Sequence, residues 1–424
     1  MSNILTFLKD ALTKNKENSF VFLGTSVLFA LPLSHAFGSI SFGVFIAFAV
    51  FCFRRKFLSF PFGLWVLISF FALVALSSFW TIDTKETSKM IGKLTPFIAI
   101  PIGFFILHKQ IRKEYYDKIF RYFSFSMVFY GVFFLLKAVF RYINTGNSAV
   151  FFYHELANNV SAIYASIFTA FAFLYFLSHS KKVYEYIFGG FLLAILFLFS
   201  SKNIILTTVF ISIIWFLFFS KSSKKAKIIS LFAVAIIFLI SSKYISERLK
   251  HEYDINVNNV QTNELGVRNL TIQDVWTNTD FSENDYFSGV SFRVFQFRIY
   301  NEIASENNSY FFGLGAGTSQ NKVNEKFEHY HLHEDYKNLN FHNQYLQLLS
   351  ELGVLGVLIL IVMLFVLLKR GIQTKDFLHI SFALLMISLF ATESFLERQK
   401  GIIFFVMLYA LFYSRSLILE KSKQ

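Results

Sequence analysis

Apolar runs of 16 to 25 residues recur along this 424-residue chain, and nothing else constrains its fold as much. A helix needs about 20 apolar residues to cross roughly 30 Å of hydrocarbon. Lipid supplies no hydrogen bonds, so a spanning segment must satisfy its own backbone as a helix or in a closed barrel. Twelve such runs are found, near 19–35, 38–53, 61–80, 92–108, 119–140, 156–178, 186–201, 203–220, 227–243, 344–368, 377–394 and 401–419. They predict an all-α polytopic membrane protein of about twelve transmembrane helices. The pairs 19–53 and 186–220 admit other cuts, because their connectors, HAFGS and SSKN, are very short. The first run has no clear small-residue cleavage site and is followed by more spans, so it reads as a retained helix.

The connectors orient this bundle. Lys and Arg are disfavoured on the translocated side, and they cluster in alternate connectors: Arg54, Arg55 and Lys56; Lys109, Arg112, Lys113 and Lys118; Lys181 and Lys182; Lys221, Lys224, Lys225 and Lys227; Lys369, Arg370 and Lys375. With Lys9, Lys14 and Lys16 at one end and Lys421 and Lys423 at the other, this predicts both termini in the cytoplasm. The formal charge of +13 is therefore a topology signal, with a weak attraction to membrane lipids, and not the footprint of a nucleic-acid binder. Cys52, the single cysteine, lies inside an apolar run and supports neither a disulfide framework nor a thiolate metal site.

One connector breaks the pattern. Between the ninth and tenth runs lie about 100 polar residues, and Lys243 to Phe341 carries 9 Lys or Arg against 14 Asp or Glu, with 14 Asn. A loop this long is usually functional or disordered. Its aromatic content, including Trp276, Phe281, Phe292, Phe295 and Phe297, favours a small, mostly helical folded cap on the translocated side. Three units are expected: a membrane bundle over 1–243, a loop domain over 244–341, and the last three spans over 342–424.

The stretch FHNQYLQLLSELGVLG, from Phe341, carries the chemistry that can be read from the residues. His342 and Asn343 stand at the start of an apolar helix, where free N–H groups and the helix dipole favour an anion. A neutral histidine there can take a proton from a hydroxyl while an anionic leaving group is held nearby; an interfacial helix cap is the plainer reading. Lys202 lies at a break between apolar runs, where a charge is costly and marks a functional position, with snorkelling to the headgroups as the rival reading. Arg293 and Arg298 are five residues apart, about 140° around a helix, so one site is not expected to take both. Arg298 has Glu302 four residues on, and an ion pair accounts for it.

Beyond single residues, the order His-Asn, nine residues, Gly353-x-x-Gly356 resembles the signature of the O-antigen ligase and polymerase superfamily. SFRVFQFRIYNEIASENNSYFFGLGAGT, from Ser291, is similar to that family's arginine helix and Gly-x-Gly turn, with Phe297 where the family usually has tryptophan. SSFWTIDTKETSKMIGKLTPFIAIPIGFF, HELANNVSAIYAS and TESFLERQKGIIFFVMLYALF match further family segments in the same order, covering Ser77 to Phe412.

The resemblance implies a metal-independent, cofactor-free, inverting glycosyltransferase of the bacterial inner membrane. Its donor would be a glycan on undecaprenyl diphosphate and its acceptor lipid A-core. His342 would be the catalytic base, and Arg293 would bind diphosphate together with Lys202, which stands where the family often has arginine; Arg298 is the second choice. Asn343, Glu351, Glu393 and His154 are expected to support the acceptor site or its surroundings. Within this resemblance a repeat-unit polymerase is the close alternative to a ligase, and twelve spans alone would equally suit a transporter. The alternating His329, His331 and His333 have metal-ligand chemistry, but no metal is expected in such a family.

Overall fold

The computed structural model describes residues 15–53, 60–157, 160–221, 223, 256, 268–282 and 284–421. It is an all-α polytopic architecture. Among the described residues, seven helical segments are long and apolar enough to cross a membrane: Phe62–Phe79, Thr84–Leu107, Lys113–Thr145, Ala162–His179, Lys202–Phe219, Gln344–Thr374 and Gln399–Glu420. Ala36–Phe51, Val183–Leu198 and Phe377–Phe390 are shorter apolar helices, and the first predicted run forms the 14-residue helix Lys16–Phe29. Each falls on a predicted span; the ninth, 227–243, lies outside the described residues, as do the basic positions Lys9, Lys14, Arg54, Arg55, Lys56, Lys224, Lys225, Lys227 and Lys423.

The ambiguous cut within 186–220 is resolved. The chain breaks at Ser200, whose φ of 55° ends one helix before α1 (Lys202–Ile214) begins. The fourth run divides at Leu94–Thr95 into an amphipathic segment, α2 (Thr84–Lys93), and an apolar one, α3 (Pro96–Leu107). Asp83 starts α2 by accepting hydrogen bonds from the Lys85 and Glu86 N–H groups.

The last helix, α4 (Gln399–Lys421), is buried nearly all round, as an apolar helix inside a bundle should be. Its rings do much of the packing: Phe412 stacks on Phe120 at 4.4 Å and Phe404 lies 4.7 Å from Phe168. One buried ion cluster lies at an end of the bundle, where Arg415 pairs with Asp117 and Asp376.

The long connector forms a separate small core of Leu270, Val275, Phe281, Phe287, Phe295, Phe327 and Tyr330. Its helices are α5 (Ile272–Thr277), α6 (Gly289–Glu306) and α7 (Ser319–His329), with a short parallel pair joining β1 (Arg268–Leu270) to β2 (Asp285–Phe287). Capping residues set the starts: Thr271 and Asp274 form a reciprocal box on α5, and Ser288 accepts from Val290 N and Ser291 N on α6.

Cap and bundle are locked together at a break in α8 (Gln344–Thr374). Gly353 has φ 64° and ψ −159°, so the helical ladder opens there. The freed carbonyls of Ser350 and Glu351 accept from Leu314 N and Gly315 N, both at 2.9 Å, while Val354 N donates to Tyr310 O at 3.2 Å. A Cβ on Gly353 would meet the Phe311 carbonyl oxygen at 2.0 Å, and one on Gly313 the Glu351 carbonyl carbon at 2.3 Å. The two glycine motifs of the sequence are thus two halves of one joint. Trp80 Nε1, donating to Phe312 O at 2.8 Å, and Ile82 N, donating to Leu314 O at 3.0 Å, close it from the far side.

Candidate active site

Arg293 and Lys202 meet at one cavity. It measures about 420 Å³ and lies where the N-terminus of α1, Arg293 near the start of α6 and the end of helix Phe377–Phe390 approach one another. Ser201, Lys202, Asn203 and Ile204 bring the start of α1 into its wall, so the N-terminal end of a helix and an ammonium share the space. Arg293 enters from the cap side, its Nη1 donating to Gly289 O at 2.7 Å. A guanidinium, an ammonium and a helix N-terminus around one cavity have the chemistry to hold an anion.

Asn203 and Thr392 line the same cavity and were not singled out from the sequence. Asn203 Nδ2 donates to Thr392 Oγ1 at 2.7 Å and to Ser388 O at 3.0 Å, fixing the start of α1 against the neighbouring helix. A signal was present: Asn203 is the polar residue next to Lys202, and Thr392 opens TES at the end of an apolar run.

His342 is tied to this cavity through one connector. Thr392 forms cavity wall, and the next residue, Glu393, has its Oε2 3.4 Å from His342 Nδ1. Glu393 is 8% exposed and the imidazole 34% exposed. With its proton on Nδ1, His342 would donate to Glu393 and leave Nε2 as the proton acceptor, the arrangement that orients a general base. The His342 backbone has φ 44°, a conformation uncommon for a side-chain-bearing residue, and its N–H donates to Asn340 Oδ1 at 3.0 Å.

Asn343 caps α8, its side chain accepting from Tyr345 N and Leu346 N, while its own N–H donates to Ser394 Oγ at 3.3 Å. Leu396 N donates to Gln344 Oε1 at 2.6 Å, so the residues after His342 hold the 393–396 connector at successive points. Glu351 is buried in the joint, accepting from Gly317 N, Ser319 Oγ and Gln347 Nε2 at 2.9, 2.8 and 2.6 Å. It pins the cap's glycine turn to α8.

The remaining positions lie apart from the cavity lining. Arg298 faces the cap interior: Nε donates to Glu302, Nη1 to the carbonyls of Val275 and Asn278, and Nη2 to the Tyr330 hydroxyl, all within 2.7–2.9 Å. His154 Nδ1 accepts from Ala162 N at 3.4 Å, at the start of the next helix, while its neighbour Tyr153 lines the cavity. His331 contacts Asp280 at 2.7 Å, and His333 accepts from Asp335 N. Among the described residues, no group of three or more His, Cys, Asp and Glu side chains is arranged to hold a metal.

Residues 187–361 match a family model described as O-antigen ligase, a stretch that contains Lys202, Arg293, His342, Asn343 and Glu351 and stops before Glu393. No curated protein matches the chain. The glycine joint and the cationic cavity lie inside or beside that stretch, and over residues 187–361 the chain is similar to the O-antigen ligase family.

Proposed function

We propose that the protein transfers a preassembled glycan from undecaprenyl diphosphate to lipid A-core at the periplasmic face of the bacterial inner membrane, as an O-antigen ligase. In this reading both termini are cytoplasmic, and the 244–341 segment is a periplasmic loop domain between bundle segments 1–243 and 342–424. The observation that carries it is the single cavity shared by Arg293, Lys202 and the N-terminus of α1, joined to His342 through Thr392 and Glu393.

The step balances without a metal or cofactor. The acceptor hydroxyl oxygen forms a bond to the anomeric carbon as the bond from that carbon to the diphosphate oxygen breaks, with inversion. His342 Nε2 takes the hydroxyl proton, and the electron pair of the broken bond leaves on undecaprenyl diphosphate. Arg293, Lys202 and the N-terminal end of α1 stabilise the charge that develops there, where fixed donors count most. Glu393 stabilises the imidazolium that forms, and Asn343 holds the start of the helix on which His342 stands. Lys202 keeps the charge of an arginine but not its bidentate fit to phosphate.

The test is His342→Ala in the native host, with lipopolysaccharide and undecaprenyl-linked glycan both sized. Long lipid-linked chains accumulating while lipopolysaccharide loses its ladder is the expected result. Single repeat units on both carriers would make the enzyme a polymerase, and an unchanged pattern in a stably expressed variant would end the base role.

A further inference from the structure

The 391–398 connector runs from the Arg293–Lys202 cavity to a second one. At its far end Glu397, Arg398 and Gln399 border a cavity of about 700 Å³, lined on the other sides by Lys93, Pro96 and Phe42. Nothing in the proposed transfer uses it. It nevertheless carries the same kind of charge as the first: Lys93 and Arg398 both line it, and α3 and α4 begin at its wall, with Pro96 and Gln399 as their first residues.

The wall is built rather than incidental. Lys93 Nζ donates to the Glu397 carbonyl at 3.1 Å, and Gln399 Nε2 donates to Ser39 Oγ at 2.7 Å, across 304 and 360 residues of chain respectively. Among the described residues neither Lys93 nor Arg398 has an ion-pair partner. The lining holds one carboxyl, Glu397, and burial pushes it well above the usual carboxylate range, reinforced by the nearby Glu351 carboxyl, which weakens its opposition to an anion. Phe42, from the membrane helix Ala36–Phe51, makes one wall apolar.

The reach is short. Glu397 stands four positions after Glu393, which holds His342, and an extended chain covers at most about 14 Å over that length. A ligand seated between Lys93 and Arg398 could therefore bring a hydroxyl one or two sugar rings away to the imidazole.

The geometry points to this second cavity as the seat of an amphiphilic acceptor, with Lys93 and Arg398 binding its phosphate and the Phe42 wall taking its apolar part. The proposal rests on the glycan-transfer reading above. It adds that donor and acceptor approach His342 from opposite ends of one connector, each held by its own pair of cations.

The test uses the full chain in nanodiscs of neutral lipid, with Lys93→Ala, Arg398→Ala and the double variant. Binding of monophosphoryl lipid A, its dephosphorylated counterpart and phosphatidylglycerol is measured by native mass spectrometry in the absence of donor. Transfer is then measured at saturating donor. The double variant is expected to bind monophosphoryl lipid A about a hundredfold more weakly, roughly tenfold for each charge-assisted hydrogen bond removed. It should bind the dephosphorylated lipid as the wild type does, and raise the acceptor KM with little change in kcat or donor KM. Unchanged binding in the double variant overturns the site while leaving His342 chemistry intact. Equal loss of phosphatidylglycerol binding makes it a bulk-lipid headgroup site and also overturns the acceptor role. Failure of the glycan-transfer reading would look different: a wild-type protein with no transfer at all, whose binding arm still decides what the cavity holds.

Discussion

The bundle and the cap solve the same problem with opposite materials. In the bundle, shape is held by interlocking rings such as Phe120 on Phe412 and Phe168 on Phe404, with a buried ion cluster at one end. The cap has only a small apolar core, and Arg298, Glu302, Lys326 and Tyr330 form a charged net across it. Small cores cannot bury enough surface to stand alone, so the polar net carries stability in the cap that rings carry in the bundle. The candidate chemistry lies in neither interior. It lies at the seam, where a helix opens at Gly353, His342 takes a positive φ, and buried polar atoms of Gln344, Gln347 and Ser350 have no partner among the described residues. Polar groups held in unfavourable states gather where function requires them.

If this division of labour holds, the seam's cations serve the ligand and contribute little to the fold. Replacing both Lys202 and Arg293 by alanine should cut transfer about a thousandfold, near 4 kcal/mol of barrier, because two fixed cations then no longer meet the leaving diphosphate. Thermal stability should stay within about 1 kcal/mol of the wild type, as for other exposed side chains. Lys202→Arg should retain activity. A double variant that melts early and keeps its activity in the surviving fraction would turn the seam cations into structural ones.

A different loss is expected from Gly353→Ala. The Cβ would stand 2.0 Å from the Phe311 carbonyl oxygen, on a backbone conformation that essentially only glycine adopts. At least about 3 kcal/mol of strain and clash should separate cap from bundle. Limited proteolysis should then cut within residues 306–320 first, while the bundle stays folded. Cleavage no faster than in the wild type would mean that the joint does not hold the two regions together.

How much of this could be read in advance follows the same boundary. The bundle was legible because hydropathy is local: every predicted span among the described residues is a helix, including breaks as fine as Ser200. The spacing from His342 to Gly353 was legible too, but its physical reason was not, since the glycines matter through a carbonyl exchange with residues 310–315. Arg298 and Arg293 were separable by helix angle alone. Nothing local could pair His342 with Glu393, 51 residues later, or show that Lys93 and Arg398 share a cavity. Such partnerships depend on which connector crosses which helix end, and that is a property of the assembled bundle.

Within the cap, Arg298→Ala should be the structural counterpart of the seam variants. It strips donors from two backbone carbonyls and leaves Glu302 half-buried beside fewer partners, a cost of about 2 kcal/mol. Hydrogen exchange should quicken over residues 272–330 with the bundle unaffected. Transfer should fall only as far as the folded fraction of the cap does. A normal cap with abolished transfer would instead place Arg298 among the groups that touch substrate.

The smallest effect separates the two regions by pH. Burial works to raise the Glu302 carboxyl but is outweighed by hydrogen bonds from Tyr330, Arg298 and Lys326, which hold it below the ordinary carboxylate range. A group depressed in the folded state stabilises fully above its unfolded value, about 4.3 for glutamate, and that contribution is lost as pH falls through the folded value. Protection of the cap amides, corrected for intrinsic exchange, should therefore be level from neutrality down to about pH 5 and decline below about pH 4. The ring-packed centre of the bundle, which has no such group in its Phe120–Phe412 and Phe168–Phe404 contacts, should show no step. Glu302→Gln should remove the acid step in the cap and weaken it at neutral pH. A step that survives that change would move the acid-sensitive tie to another carboxylate and leave the net of Arg298, Lys326 and Tyr330 without its proposed centre.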